Sequence, residues 1–256
     1  MRYAKQTAVK EFGVEGQAVL SAATVAIIGC GGLGCLQAEL LTRMGVGTLR
    51  IADPDIVTLG NLHRQLLFTE EEATAGTPKV TAAAARLATF NSGVSIRARP
   101  ERITRDNITD FAAGADLILD ATDQTATRYL INDFCLRENI PWIYTGVAGT
   151  GGMLLPILPQ KGPCLRCLYP EPPAEGEAAT CASNGILPPT VTLAVSLQVA
   201  QALRLLNRTL RPGRLTLFNV WEPSVRATVL HRDPSCPCCG RHRFDFLAPA
   251  TGDKKG

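Results

Sequence analysis

Gly29-Cys30-Gly31-Gly32-Leu33-Gly34 is the stretch that decides the fold of this 256-residue chain. Thr24–Ile28 precedes it, a β-branched and apolar run that predicts a buried parallel strand. Good helix formers follow from Cys35 to Met44. Glycines allow a sharp turn and a close approach to a ligand, and the N-terminus of the following helix offers free N–H groups to a phosphate. The stretch therefore predicts nucleotide binding, with Gly29, Gly31, Gly32 and Gly34 as candidate binding residues.

The alternation of strand and helix continues along the chain. Apolar or alternating runs predict strands at 48–53, 94–99, 116–121 and 141–145, with helices at 79–90, 107–112 and 127–138. Three more apolar runs, at 153–158, 214–220 and 225–231, predict a mixed extension of the sheet. The predicted fold class is α/β: a Rossmann-like, doubly wound, mostly parallel sheet extended by antiparallel C-terminal strands.

Composition and charge exclude several classes of protein. A hydrophobic content of 46% and a charged content of 19% describe an ordinary globular protein, and a net charge of +3 is too small to favour nucleic acid as a partner. Residues 1–10 are polar and charged, so no secretory signal is expected. The most apolar stretch, 186–206, contains Gln198, Gln201 and Arg204. It predicts a buried helix, and we expect no membrane span and a cytoplasmic protein.

Two carboxylates follow the ends of predicted strands. Asp53 lies about twenty residues beyond the glycine turn, where nucleotide-binding folds place the acid that holds a ribose hydroxyl. A plain acid at a strand end is the alternative for Asp53. Asp123 follows the strand predicted at 116–121. Because ligands of open α/β sheets bind at the carboxyl ends of the strands, both acids are expected in one crevice, where Asp123 and phosphate oxygens predict a Mg²⁺ site.

The expected crevice also receives several donors. Residues 55–65 show neither a helical nor a strand period, and they supply Asn61, Arg64 and Gln65. The guanidinium fork of Arg64 matches phosphate oxygens. Lys79 opens a predicted helix, where a cation is unfavourable for the helix dipole unless a phosphate is its partner. A solvated surface lysine is the alternative for Lys79.

The nine cysteines fall into distinct groups. The two CxxC knuckles predict a structural Cys₄ zinc site that clips two distant segments together, with a redox dithiol as the alternative. Its predicted ligands are Cys164, Cys167, Cys236 and Cys239; the neighbouring Cys238 is left out. Three other cysteines are expected to be small buried fillers: Cys30, Cys35 and Cys135. Cys181 stands alone in a loop, residues 169–184, that is rich in Pro, Glu, Ala and Gly and is predicted to be mobile.

Taken together, these features resemble the ThiF/MoeB/HesA family, bacterial relatives of the ubiquitin-activating enzymes. The matching features occur in the family's order: Gly29-x-Gly31-Gly32-x-Gly34, Asp53-x-Asp55, Asn61-Leu62-x-Arg64-Gln65, Gly76-x-Pro78-Lys79-Val80, Thr122-Asp123 and the paired CxxC knuckles. The resemblance implies an ATP-dependent adenylyltransferase. Such enzymes use ATP and Mg²⁺ to activate the C-terminal glycine of a ubiquitin-like sulfur carrier protein as an acyl-adenylate. Pyrophosphate is released, ahead of thiocarboxylate formation.

The resemblance also implies roles for individual residues and a homodimer. Arg64 and Lys79 would bind the phosphates, Asp123 the Mg²⁺ and Asp53 the ribose, while Asn61 and Gln65 orient the nucleotide. The remaining cofactor positions that it implies are Asp55, Gly60 and Gln124. Lys5 would reach the partner subunit's ATP, and Cys181 stands where some of these enzymes form a covalent link to the carrier.

This chain departs from the family pattern at three positions. Lys5 stands where the family has an arginine, Gly60 where it has a serine and Gln124 where it has an asparagine. Lys5 keeps the positive charge of the arginine but loses its bidentate fork. No rhodanese-like domain is appended in this sequence. A separate sulfur donor, such as a cysteine desulfurase or a rhodanese, is therefore expected.

The resemblance covers nearly the whole chain and implies a single ThiF-type adenylyltransferase domain over residues 1–256. Its predicted parts are an N-terminal helical arm (1–21), a nucleotide-binding part (22–148), a carrier-binding and zinc part (149–248) and a disordered tail (249–256). Three other functions stay open. They are an NAD-dependent oxidoreductase, a non-catalytic subunit of a heterodimer, and a related adenylating enzyme that acts on tRNA or a small carboxylate. The identity of the carrier and its pathway, molybdopterin, thiamin, cysteine or a specialised metabolite, also stays open.

Overall fold

The computed structural model describes residues 2–173 and 185–248. Within them, eight strands form one sheet in the order β3-β2-β1-β4-β5-β6-β7-β8. The strands are β1 (Thr24–Ile28), β2 (Thr48–Ala52), β3 (Ser95–Arg99), β4 (Leu117–Asp120), β5 (Trp142–Ala148), β6 (Gly151–Ile157), β7 (Arg214–Asn219) and β8 (Ser224–Val229). Strands β1 to β5 pair in parallel, and β6, β7 and β8 add antiparallel pairs. The predicted mostly parallel sheet with antiparallel C-terminal strands is confirmed.

Helices cover both faces of this sheet. They are α1 (Ala4–Thr7), α2 (Gly13–Ala22), α3 (Gly32–Met44), α4 (Glu70–Thr74), α5 (Lys79–Phe90), α6 (Ile108–Ala112), α7 (Thr125–Glu138), α8 (Leu165–Leu168) and α9 (Pro188–Leu206). Apolar residues of α3, α5 and α9 form the core on one face, and those of α6 and α7 form the core on the other. Because both faces are covered, the central strands β1 and β4 are apolar along most of their length, which explains why they could be located from the sequence.

Helix α9 is the long apolar segment of the chain. It is the one helix within the described ranges whose length and composition suffice to cross a membrane, and 44% of its most apolar window is buried. It packs against α3, β5 and β6. Its buried Gln198 donates a hydrogen bond to the Ile143 carbonyl at 3.2 Å and accepts one from Gln37 at 2.6 Å. These two hydrogen bonds pair the Gln198 side-chain amide inside the apolar layer, where an unpaired polar group would be costly.

Strand β6 begins two residues earlier than the sequence predicts. Gly151 and Gly152 pair with Asn219 and Phe218, so both glycines belong to the strand. A Cβ atom on Gly152 would lie 2.5 Å from Cζ of Phe218. The glycine is therefore required for close packing between neighbouring strands, and apolar periodicity carries no signal of that requirement.

Candidate functional site

The glycine turn joins β1 to α3 with almost no free space. Gly29 has φ +105°, a conformation that favours glycine, and a Cβ there would lie 2.5 Å from the Ala121 carbonyl oxygen. A Cβ on Gly34 would lie 2.1 Å from the Gly29 carbonyl oxygen. Helix α3 then begins at Gly32, directly after its N-cap Gly31. The first N–H groups of α3 have no partner inside the helix, so they are available to an anion in front of them.

A cavity of about 300 Å³ opens in front of this turn, at the carboxyl ends of β1, β2 and β4. It brings most of the predicted binding residues together: Gly29, Gly31, Gly32, Asp53, Asp55, Asn61, Arg64, Gln65, Lys79, Asp123 and Gln124. Among the described residues, Gly34, Gly60 and Lys5 are predicted positions outside its lining. Gly34 contributes to the tight packing of the turn, while the Gly60 carbonyl accepts a hydrogen bond from Arg64 at 3.0 Å. Cys181 lies outside the described residues, as do the rest of 174–184 and the predicted tail 249–256.

Asp53 braces the glycine turn as well as lining the cavity. Its carboxylate accepts hydrogen bonds from the backbone N–H of Cys30 at 2.6 Å and of Asp55 at 2.9 Å. Burial raises the pKa of Asp53, while these hydrogen bonds and the charge of Lys79 oppose the shift. Each carboxylate oxygen keeps a second lone pair. Asp53 therefore fixes the backbone of the turn and retains acceptor capacity toward the cavity.

Two cations and an unpaired amide oxygen face the same space. The Lys79 ammonium is 2.9 Å from a carboxylate oxygen of Asp55, and its side chain is 7% exposed while that of Asp55 is 59% exposed. Arg64 is half-buried beside it in the cavity lining. Gln65 is buried, and its Oε1 has no hydrogen-bond partner. A buried acceptor without a donor is costly, and a bound donor group such as a nucleotide hydroxyl or amino group would satisfy it.

Arg128 is a cavity residue that the sequence analysis did not find. Its Nε donates a hydrogen bond to Oδ2 of the fully buried Asp120 at 3.0 Å. Burial raises the pKa of Asp120, and the charge of Arg128 opposes that shift. A signal was present, because Asp120 ends an apolar strand and a buried carboxylate needs a partner. Its partner, eight residues later on α7, follows no motif that the sequence analysis used.

A second cavity of about 650 Å³ adjoins the first. Arg128 and Val147 line both of them. Its remaining lining is largely apolar and aromatic, with three glycines and an acid: Thr125, Tyr129, Tyr144, Gly146, Ala148, Gly151, Gly152, Met153, Leu165, Tyr169, Glu171, Pro173, Leu217 and Phe218. The shared residues place this apolar surface cavity directly beside the polar cavity at the glycine turn.

The paired CxxC knuckles meet on the face of the sheet covered by α7. The Sγ atoms of Cys164, Cys167, Cys236 and Cys239 all lie within 4.8 Å of one another. Hydrogen bonds among these thiols lower the pKa of Cys167 and of Cys236 and raise the pKa of Cys164. The spacing and the donor set fit one tetrahedrally bound metal ion. The predicted set of four cysteines is thus brought together.

Four further cysteines lie among the described residues. Cys30, Cys35 and Cys135 are buried fillers, as predicted. Cys238 is buried beside the cluster, where its Sγ accepts a hydrogen bond from Asn132 at 3.2 Å.

Comparison with known proteins places this geometry in a family. The sequence pattern of the ThiF family matches residues 3–238. The chain belongs to the ThiF family. The sulfur carrier protein ThiS adenylyltransferase of Bacillus subtilis (strain 168) is 38% identical over 250 residues, covering 96% of this chain and 74% of that protein. The protein of the same name from Escherichia coli (strain K12) is 38% identical over 248 residues, covering 96% and 97%. The family predicted from the motifs is therefore confirmed.

Other relatives differ in their named partners. The SAMP-activating enzyme E1 of Haloferax volcanii is 34% identical over 248 residues, covering 96% of this ThiF-family chain and 91% of that protein. Among solved structures, E. coli MccB with ATP superposes with a TM-score of 0.80 at 23% identity, covering 94% of this chain and 75% of that one. At this identity the structural likeness shows the shared fold alone.

Proposed function

We propose that this chain is an ATP-dependent adenylyltransferase that activates the C-terminal glycine of a ubiquitin-like sulfur carrier protein. The observation that carries the proposal is that the polar and the apolar cavity adjoin, with Arg128 and Val147 in both linings. A nucleotide fits the polar cavity at the glycine turn. An extended peptide tail ending in Gly-Gly fits the adjoining, largely apolar cavity. Relatives with most of their length in common are named sulfur carrier protein adenylyltransferases.

The proposed chemistry needs electrostatic positioning more than proton transfer. The terminal carboxylate of the carrier attacks the α-phosphorus, the bond to the bridging oxygen breaks, and pyrophosphate leaves with its electron pair. The nucleophile is already ionised near neutral pH, so no general base is required. The barrier arises from bringing an anion to a polyanion and from charge on the leaving group. Arg64 and Lys79 are placed to offset that charge, and a bound Mg²⁺ would be held by Asp123 and phosphate oxygens.

The assembly around this reaction is also proposed. We expect a homodimer in which Lys5 reaches the partner subunit's phosphates, since the exposed Lys5 lies outside the described lining of its own chain's cavity. Zinc is the metal proposed for the four-cysteine cluster, with a structural role. A separate cysteine desulfurase or rhodanese would supply sulfur, and Cys181 would serve sulfur transfer and not adenylation. We also propose the division into an N-terminal arm, a nucleotide-binding part and a carrier-binding and zinc part. The proposed location is the cytoplasm.

Carrier-dependent ATP–pyrophosphate exchange tests the function directly. The probe is a ThiS-type carrier ending in Gly-Gly from the same genome, with the same carrier lacking its last glycine as the control. We expect labelled pyrophosphate to enter ATP only with the intact carrier. Exchange that needs no carrier, or that needs a small carboxylate or tRNA instead, would contradict the proposal. Quenching of protein fluorescence by NAD, without any exchange, would favour an oxidoreductase.

A further inference from the structure

Arg166 is a buried arginine inside the first CxxC knuckle, between two of the cluster's cysteines. Its side chain is only 2% exposed. A buried guanidinium requires partners for its fixed fork of donors, because an unpaired buried charge is strongly destabilising. Arg166 has several, and they come from two segments that are far apart in sequence. This arrangement indicates a connecting role for the side chain.

The first of these segments leads away from the cluster. Nε of Arg166 donates to the Pro170 carbonyl at 3.0 Å, and Nη2 donates to Oε1 of Glu171 at 3.1 Å. Glu171 and its neighbours Tyr169 and Pro173 line the second cavity. Arg166 therefore holds one wall of that cavity from behind, while its own side chain stays outside the lining.

The second segment follows the C-terminal knuckle. Nη1 of Arg166 donates to Oδ2 of Asp245 at 3.0 Å, and the guanidinium lies 5.5 Å from the centre of the Phe246 ring. Phe246 in turn stacks on Tyr129 with ring centres 4.9 Å apart. Hydrogen bonds from Arg166 lower the pKa of Asp245, with Arg243 adding to the effect. The Arg166 side chain thus connects the segment after the C-terminal knuckle, through Asp245, to the cavity wall, through Glu171.

We infer that Arg166 is a positioning residue that couples the four-cysteine cluster to the wall of the second cavity and thereby sets the affinity for the carrier's tail. The inference rests on the proposed function. Among the described residues, no partner of Arg166 lines the polar cavity at the glycine turn, so nucleotide affinity should not depend on it. Charge-assisted hydrogen bonds are worth enough to change an affinity about tenfold when they are lost.

Kinetics of the full-length protein separate this role from a purely structural one. With the ThiS-type carrier as the probe, Arg166→Ala should raise KM for the carrier about tenfold while kcat and the Kd for ATP change less than about threefold. Arg166→Lys should restore only part of the affinity, because an ammonium cannot hold the fork's partners at once. Arg243→Ala is the matched control, since Arg243 also pairs with Asp245 but contacts no cavity residue among those described. The metal content must stay at the wild-type value in every variant.

A double-mutant cycle and hydrogen–deuterium exchange complete the test. Glu171 is 71% exposed, so Glu171→Ala should fold and should raise KM for the carrier in the same direction. The effects of Arg166→Ala and Glu171→Ala should then be non-additive. Deuterium uptake across 167–173 should rise in Arg166→Ala without any carrier present. Unchanged uptake and unchanged KM would overturn the inference, and so would a KM effect that appears only with loss of metal. Because the uptake needs no carrier, it decides on Arg166 even if the wild type shows no carrier-dependent exchange.

Discussion

Arg128 and Asp120 form a buried ion pair between the two cavities, with Nε and Oδ2 3.0 Å apart. The same guanidinium donates to the carbonyls of Thr122 at 2.7 Å and Thr145 at 3.2 Å. The backbone N–H groups of Thr122 and Thr145 in turn donate to Asp120. The pair thus fixes the end of β4 against the middle of β5. It also fixes a positive charge where the two cavities meet.

Removing one member of this pair should be strongly destabilising. Arg128→Ala leaves the Asp120 carboxylate buried without a counter-charge, so the free energy of unfolding should fall by about 3–5 kcal/mol. Carrier-dependent exchange by the folded fraction should fall as well, because the shared wall of the two cavities loses its charge. Urea unfolding followed by circular dichroism, together with the exchange assay, measures both effects.

Arg137 provides the matched control on the same helix. It pairs with Glu138 at 2.6 Å, but both side chains are about 40% exposed. Arg137→Ala should therefore change stability by less than about 1 kcal/mol. Equal destabilisation by Arg128→Ala and Arg137→Ala would show that burial of the Asp120 pair contributes nothing.

The sequence predicted the parts of the fold that depend on local pattern. The central strand is buried and mostly apolar, so Thr24–Ile28 was located to the residue. The paired CxxC spacing likewise picked out the four cysteines that cluster, without Cys238. Contacts between distant segments were not predictable in the same way. Arg128 and Asp120 meet because α7 folds back over the end of β4, and neither residue belongs to a motif used in the prediction.

Gly34 illustrates a second limit of sequence reasoning. The motif groups it with the ligand-contacting glycines, but its role is to let α3 approach the Gly29 carbonyl. A spacing pattern shows that glycine is required and does not show whether a ligand or the backbone occupies the space. The CxxC motif likewise does not predict the partners of Arg166, because Pro170 and Asp245 lie outside the knuckle that contains the arginine.

Asp53 should give the protein a measurable pH dependence. Burial raises the pKa of Asp53 in the folded state. Above pH about 4, this carboxyl therefore holds more of its proton in the folded protein than in the unfolded chain. The contribution of Asp53 to stability is therefore fully present below its unfolded pKa and falls as the pH rises toward its folded pKa. Asp53→Asn removes this titration. The stability of the wild type relative to Asp53→Asn, from urea unfolding at pH 4 to 7, should decrease with pH; an increase would contradict the burial effect.

Lys79 should be essential for exchange. Its nearly buried ammonium faces the cavity beside Asp55, where the phosphates are proposed to bind. Lys79→Ala should lower the exchange rate by about 10²–10³-fold, the usual cost of losing one preorganised electrostatic group. Arg86→Ala is the control, since Arg86 lies on the same helix but pairs with Glu72. Near-wild-type exchange in Lys79→Ala would remove Lys79 from the proposed machinery.

The four-cysteine cluster should bind about one metal ion per chain, which elemental analysis can measure. Cys167→Ser combined with Cys236→Ser should abolish binding and lower the thermal midpoint, because site binding is coupled to folding. Cys238→Ala should keep the metal, since Cys238 contacts Asn132 and is not one of the four clustered thiols. The ligand assignment fails if Cys238→Ala loses the metal while the double variant retains it.

A single added methyl group should perturb one glycine of the predicted site and leave another unaffected. A Cβ on Gly34 would lie 2.1 Å from the Gly29 carbonyl oxygen and 2.9 Å from its carbon, both backbone atoms in a fixed turn. Gly34→Ala should therefore displace the turn, lower stability by about 1–3 kcal/mol and weaken ATP binding. A Cβ on Gly60 meets nothing within 4 Å, so Gly60→Ala should leave the thermal midpoint within about 2 °C of wild type. Calorimetry of unfolding and titration with ATP compare the two variants. If Gly34→Ala changes neither stability nor ATP binding, α3 can shift away from the turn without cost. The close packing of the turn would then not determine the position of the helix N-terminus.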